Sequence, residues 1–218
     1  MKKKGKFSEK KEKILFSYLK NRANITRVII VLLILGFAII SYKIMGFYAE
    51  SFNIPPSGDF LHDVIPLINL NWLTTYGYYL IVTGFTLIFI FKYPKESPNF
   101  VLTMSLFMII RSILFSVTHL GAPFPRIDDI GLPIGNLSRY YFTQDLFPSG
   151  HAGMPFIASL FMKDKLLKTI FLAASFIMGF AVLAMHVHYS IDVLGAYFVA
   201  FTCFYIVQKY LAKKFTLK

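Results

Sequence analysis

The sequence predicts an all-α integral membrane protein with six transmembrane helices in a bundle. Hydrophobic residues make up 56% of the 218 positions, and the mean hydropathy is +0.59. A soluble domain averages about 45–50% apolar residues. The apolar residues form long segments, and lysines collect between alternate segments. Together these observations exclude an ordinary soluble globular domain.

Six segments are candidates for membrane spans, because a span needs about 20 predominantly apolar residues. They lie at approximately 25–45, 72–91, 100–120, 151–162, 166–185 and 189–211. Arg111 interrupts the third segment, and the fourth is short. The chain then divides into a basic N-terminal segment (1–24), a six-span membrane domain (25–212) and a basic tail (213–218).

The distribution of basic residues predicts the orientation of the spans. Ten of the 23 basic residues precede residue 28, and Lys-rich connectors at 92–95, 163–165 and 213–214 fall on the same side of alternating spans. Cytoplasmic loops carry an excess of Lys and Arg. We therefore expect both termini in the cytoplasm and the loops 46–71, 121–150 and 186–189 on the outer side, whether periplasmic, extracellular or lumenal.

The net charge of +12 is explained by this topology, so no nucleic-acid partner is expected. The Lys-rich start of the chain either contacts anionic lipid headgroups or is a solvated tail that sets the orientation. Cys203 is the only cysteine, which excludes an intrachain disulfide and a cysteine-based metal site.

Three ionisable residues adjoin the predicted spans, where such side chains are costly. His188 and Asp192 are four residues apart and share one face of a helix, so Asp192 can hold one ring nitrogen and leave the other free to attack. His151 is a candidate proton donor. A nucleophile, its orienting group and an acid are the requirements for covalent phosphoryl transfer. The alternative is a structural polar pair and an interfacial histidine.

Ser149 and Gly150 directly precede His151, at the predicted start of a helix. Backbone N–H groups at a helix start bind phosphate oxygens. Because all five residues fall on the predicted outer side, the sequence places an active site at the non-cytoplasmic face.

Two sequence stretches resemble the last two motifs of the sphingomyelin synthase family, a branch of the type-2 phosphatidic acid phosphatase superfamily. Residues 143–151 read Thr-Gln-Asp-Leu-Phe-Pro-Ser-Gly-His, and residues 186–193 read His-Val-His-Tyr-Ser-Ile-Asp-Val. Asp145 matches the family's Asp six residues before the motif histidine. Residues 111–123 resemble an earlier motif that begins with arginine, and residues 55–63 match the first motif loosely. The resemblance covers roughly residues 50–210.

The resemblance implies a six-span catalytic domain with a triad of His151, His188 and Asp192, in which His188 is the nucleophile, and it implies no metal and no cofactor. A phospholipid is the expected donor, and a lipid alcohol or water the acceptor. Two motifs of the wider superfamily, Lys-x6-Arg-Pro and a Ser-Arg pair before the second histidine, are absent. Phosphate-binding charge must therefore come from elsewhere, with Arg111 as the first candidate.

Several neighbouring residues keep two interpretations at this stage. Arg111 either binds phosphate or forms a structural ion pair with an acid in a loop, and Asp145 either caps a helix or loop or acts on the substrate side. His186 is expected to face solvent. Two further arginines, Arg126 and Arg139, are either alternative phosphate contacts or ordinary solvated loop charges. The aromatic residues that either bind a quaternary ammonium or form an interfacial belt are Tyr140, Tyr141, Phe142 and Phe147.

Three functions are compatible with these observations. The first is a phosphotransferase that moves a phospho-head group, such as phosphocholine, from a phospholipid to a lipid alcohol through a phosphohistidine. The second is a lipid phosphatase, in which water is the acceptor. A non-enzymatic channel or scaffold is disfavoured, because pore residues need not reproduce a nucleophile, an orienting group and an acid.

Overall fold

The computed structural model describes residue 18 and the ranges 20–127 and 142–218. All regular elements in these ranges are helical, and one isolated β-bridge joins Pro56 to Gly121. Arg139, Tyr140 and Tyr141 lie outside the described residues, as does most of the basic N-terminal segment.

Eight α-helices follow one another along the described chain. They are α1 (Arg22–Glu50), α2 (Phe60–Val64), α3 (Tyr78–Lys92), α4 (Ser97–Thr118), α5 (Gly150–Phe161), α6 (Lys165–Ala184), α7 (Ser190–Ile206) and α8 (Ala212–Phe215). Two π-helical turns interrupt the pattern, Leu73–Gly77 before α3 and Val207–Leu211 after α7.

Five helical stretches within the described ranges are long and apolar enough to cross a membrane. They are Arg22–Glu50, Leu73–Phe91, Ser97–Thr118, Lys165–Ala184 and Ser190–Phe215. Large apolar side chains such as Leu33 and Phe198 are exposed on their outer faces, as expected for surfaces that meet lipid. The protein is therefore an all-α membrane protein with several spanning helices.

The fourth predicted span forms a helix at the expected place, but this helix, α5, has only 12 residues. That length is about 18 Å, well short of the roughly 30 Å of a bilayer core. The helix packs against α6 and α7, with further contacts to α3 and α4. Most of its residues are buried, so α5 is the central helix that carries His151 into the bundle.

Polar residues fix the ends of several helices. Asp164 precedes α6 and accepts a hydrogen bond from the Leu167 N–H, and Asn21 caps α1 in the same way through the Ala23 N–H. Such caps satisfy backbone donors that a helix leaves without partners. At the same end of the bundle, Lys92 pairs with Asp164 at 3.1 Å. This exposed pair contributes little to stability, because solvent screens the attraction between the two charges.

An aromatic core fills the half of the bundle that is nearest the Lys-rich turns. The rings of Phe89 and Phe100 stack with centroids 3.8 Å apart, and Phe161 meets both edge-on. The buried Phe107 side chain lies against Gly153, where a Cβ atom would have no room. This packing joins α3, α4 and α5 beneath the opposite end of the bundle, where the candidate site residues lie.

Candidate active site

The turn between α6 and α7 brings His188 and Asp192 together. Asp192 is fully buried, and its Oδ2 accepts hydrogen bonds from the Tyr189 N–H at 2.8 Å and from the His188 ring at 3.2 Å. A carboxylate only accepts, so Nδ1 of His188 carries the proton in this bond and Nε2 of the neutral ring keeps its lone pair. This is the arrangement that a nucleophilic imidazole requires.

His151 lies beside this pair although it belongs to another helix. It is the second residue of α5, and its ring centroid is 6.2 Å from that of His188. Both rings line a small, partly open cavity. The remaining lining residues are Arg126, Phe142, Thr143, Asp145, Leu146 and Val187. A group held in this cavity would contact both imidazole rings at once.

Ser149 and Gly150 hold the start of α5 against α7 and α4. The Ser149 N–H donates to the backbone carbonyl of Asp192 at 2.9 Å, which links the two motifs directly. A Cβ atom on Gly150 would lie 3.7 Å from the guanidinium carbon of Arg111, so α5 begins against that side chain. The Ser149 hydroxyl is buried and has no hydrogen-bond partner.

Arg111 is buried and bonded to the segment that precedes α5. Its Nε donates to the Pro148 carbonyl at 2.7 Å, and its Nη2 donates to the carbonyl and to Oδ2 of Asp145 at 2.6 and 3.0 Å. The Tyr42 hydroxyl donates to the same Oδ2 at 2.5 Å. Of the two interpretations of Arg111, the structure contains the ion pair with a loop acid. Its contact with phosphate stays a prediction, and Arg111 is not among the residues that line the cavity.

Arg126 lines the cavity with the two histidines. Its Nη1 lies 3.4 Å from the carbonyl oxygen of Thr143, another residue that lines the cavity. From the sequence, Arg126 was either an alternative phosphate contact or an ordinary solvated loop charge. The sequence signal for a phosphate contact was the position of Arg126 in the Lys-poor loop on the predicted outer side. Few other cations are available there to bind a phosphate.

Two acidic residues fix the motif segments from outside the cavity. Glu50, at the end of α1, accepts hydrogen bonds from the N–H and hydroxyl of Thr143 and from the Gln144 N–H. Asp59 accepts from the N–H and hydroxyl of Ser190 at 2.7 and 2.8 Å. Burial opposes the ionisation of Asp59, but the bonds from Ser190 outweigh it and hold the pKa of this carboxyl below its ordinary value.

His186 does not face solvent, so that expectation is wrong. It is buried, with φ of 53°, and its Nδ1 and Nε2 each lie 3.1 Å from a carbonyl oxygen, of Pro125 and Ile65 respectively. The left-handed backbone at this position turns the ring inward, which the sequence spacing does not reveal. Its contact with Pro125 holds the chain next to Arg126.

His62 is a contact that the sequence analysis did not identify. Its Nε2 donates to the backbone carbonyl of His188 at 2.9 Å, and its ring stacks on His186 with centroids 4.2 Å apart. Burial lowers the pKa of His62 below its ordinary value. A neutral His62 therefore supports the backbone of the nucleophile without adding charge. The only sequence signal was the loose match of residues 55–63 to the first motif.

No group of three His, Cys, Asp or Glu side chains is placed to hold a metal ion within the described ranges 20–127 and 142–218.

Comparison with known proteins gives one match, on the segment that carries the motifs. Residues 144–210 match the family model PAP2_C, the PAP2 superfamily C-terminal region. No curated protein and no solved structure matches the chain. The matched segment includes His151, His188 and Asp192, and it carries no information on the branch within the superfamily. The match supports the type-2 phosphatidic acid phosphatase superfamily, whose members are generally phosphatases or phosphotransferases.

Proposed function

We propose that the protein is a membrane phosphotransferase that moves a phospho-head group, such as phosphocholine, from a phospholipid to a lipid alcohol. The observation that carries the proposal is the shared cavity of His188 and His151, with Asp192 behind His188. The six-span domain 25–212 would hold the site toward the outer side of the membrane, with both termini in the cytoplasm.

In the first step, Nε2 of His188 attacks the phosphorus atom and a P–N bond forms. The P–O bond to diacylglycerol breaks, and His151 gives its proton to the departing oxygen. Asp192 remains ionised and stabilises the cationic phosphohistidine. Phosphate oxygens would be bound by Arg126 and by the N–H groups at the start of α5, in a site prepared before the reaction begins.

In the second step, His151 removes the proton of the acceptor hydroxyl, whose oxygen attacks the phosphorus atom. The P–N bond breaks and neutral His188 is restored. Three of the eight residues that line the cavity, Phe142, Leu146 and Val187, are apolar and would contact the alkyl part of a lipid alcohol. The superfamily match is equally compatible with the second candidate, a lipid phosphatase that uses water in this step.

The two candidates differ in the product, which a single assay separates. Purified protein in mixed micelles is incubated with headgroup-labelled phosphatidylcholine in EDTA, with and without ceramide or diacylglycerol. A new phospholipid that depends on the added alcohol supports the transferase, and free phosphocholine in either condition supports hydrolysis. Absence of a new phospholipid, of a free phospho-head group and of inorganic phosphate across phosphatidylcholine, phosphatidylethanolamine and phosphatidic acid would contradict the proposal.

A second assay, on intact cells, tests the orientation of the site. Intact cells that contain the protein should cleave the membrane-impermeant donor p-nitrophenyl phosphorylcholine without permeabilisation. Cleavage that requires permeabilised cells would place the site on the cytoplasmic side.

Arg126→Ala is expected to lower kcat/KM about 10- to 100-fold, because a hydrogen bond to a charged group is worth about 1.5–3 kcal/mol. Inhibition by inorganic vanadate, a phosphate analogue, should weaken by a similar factor. Lys163→Ala is the control, since this exposed lysine pairs with Glu96 at the other end of the bundle. An Arg126→Ala protein with unchanged kcat/KM and vanadate inhibition would exclude Arg126 as a phosphate contact.

A further inference from the structure

The π-helical turn before α3 determines which face of this helix points toward the candidate site. Within Leu73–Gly77 the backbone hydrogen bonds join residues five apart instead of four apart. The Tyr78 N–H thus donates to the Leu73 carbonyl. One residue is thereby added to the turn, and an added residue rotates the rest of a helix by about 100°. Such turns occur frequently at functional sites.

The residue that follows the turn, Tyr78, packs on the candidate proton donor. Its ring centroid is 4.5 Å from that of His151, at an angle of 47° between the rings. The Tyr78 hydroxyl donates to the Met154 sulfur at 3.0 Å. His151 and Met154 are three residues apart on α5 and share one face of it. Tyr78 therefore contacts this face of α5 at two residues, His151 and Met154.

The turn itself is anchored to α6 and to the segment that follows it. Thr74 is buried and its hydroxyl lies 3.4 Å from the Met185 sulfur, and a Cβ atom on Gly77 would lie 3.3 Å from the Met178 side chain. The next residue, Tyr79, is 44% exposed. Without the added residue, the helix beyond the turn would be rotated by about 100°, and the Tyr78 ring would no longer face His151.

We infer that Tyr78 is a positioning residue, which fixes the His151 imidazole in the orientation that transfers the proton. The inference rests on the proposed function, in which His151 protonates the oxygen that leaves phosphorus. The ring of Tyr78 lies on one side of His151, and the His188 ring lies at 6.2 Å. Proton transfer depends on this alignment, because a small misplacement of a reacting group lowers the rate strongly.

The test uses the dependence of the rate on the leaving group. With phosphatidylcholine, Tyr78→Ala should lower kcat/KM about 10- to 100-fold, as expected when a general acid is displaced. With p-nitrophenyl phosphorylcholine the loss should be less than about 3-fold, because nitrophenolate leaves without a proton. Tyr78→Phe keeps the ring and should remain within about 3-fold of the wild type on both donors. Tyr79→Ala, on the exposed neighbour, should match the wild type.

Equal losses on both donors, or a Tyr78→Phe loss as large as that of Tyr78→Ala, would overturn the inference. Histidine NMR gives a readout that needs no turnover. With ¹⁵N-histidine label, Tyr78→Ala should shift and broaden the His151 ring signals, whereas Tyr79→Ala should not. Unchanged His151 signals in Tyr78→Ala would also overturn it. An inactive wild-type protein whose His151 signals respond to Tyr78→Ala would contradict the proposed function and leave the positioning contact established.

Discussion

His188→Ala should abolish turnover, with a loss of about 10⁴-fold or more, as found when a covalent nucleophile is removed. The reason is that, in the proposed mechanism, its Nε2 is the atom that forms the P–N bond. The variant should also fail to become labelled when the wild-type protein is mixed with a ³²P-labelled donor and quenched in alkali with detergent. Phosphohistidine survives alkali and is lost in acid, so the label in the wild-type protein should follow that pattern.

His151→Ala provides the matched comparison for this experiment. It lacks the proton donor but keeps the nucleophile, so it should still become labelled by p-nitrophenyl phosphorylcholine while turnover with phosphatidylcholine is lost. Both variants should purify as monodisperse species, and His151→Ala should unfold near the wild-type temperature. His188→Ala should unfold at a lower temperature, because it removes a donor from the fully buried Asp192 carboxylate at a cost of about 1–3 kcal/mol. Full turnover by His188→Ala, or a label that persists in it, would refute the assignment of the nucleophile.

Arg111→Ala should destabilise the protein by about 3–5 kcal/mol, because removal of one partner leaves the other charge of a buried pair uncompensated. The Arg111 and Asp145 side chains are only 9% and 16% exposed. For a chain of this size we expect the unfolding temperature in detergent to fall by about 10 °C. Activity should fall too, since Arg111 holds the Asp145 and Pro148 carbonyls ahead of α5.

The double variant Arg111→Ala/Asp145→Ala separates a structural role from phosphate binding. If Arg111 and Asp145 stabilise the protein mainly through their ion pair, the double variant should be no less stable than the less stable single variant. Tyr42→Phe, which removes only the hydroxyl bonded to Asp145, should cost about 1 kcal/mol. An Arg111→Ala protein with wild-type unfolding temperature and a raised KM would instead identify Arg111 as a direct phosphate contact.

The helices and the pairing of His188 with Asp192 follow from local sequence, which is why they could be predicted. The length of an apolar segment predicts a membrane span. Helix geometry alone brings two residues four apart into contact at the start of a helix. The place of His151 beside them could be inferred only from the predicted orientation and from the family resemblance. The structure brings His151 and His188 to one cavity with Asp192 bonded to His188, and their catalytic roles stay predictions until the variants are measured.

The contacts that the sequence did not reveal are made by backbone atoms or depend on local backbone geometry. His62 donates a hydrogen bond to the backbone carbonyl of His188. The left-handed backbone conformation of His186 itself directs its ring inward. Arg111 donates mainly to carbonyl groups, which no residue pattern encodes. The added residue at Leu73–Gly77 breaks the period of 3.6 on which face predictions depend, so the contact between Tyr78 and His151 was equally invisible.

The short length of α5 has a consequence for how a lipid meets the histidines. If the Lys163 turn lies at one surface of a 30 Å bilayer core, the length of α5, about 18 Å, would leave its first residues roughly 10 Å below the other surface. A phospholipid would have to sink by that depth and shed much of the water around its zwitterion before reaction. Bulky, strongly hydrated headgroups would then be selected against by the membrane itself, ahead of any contact with the protein.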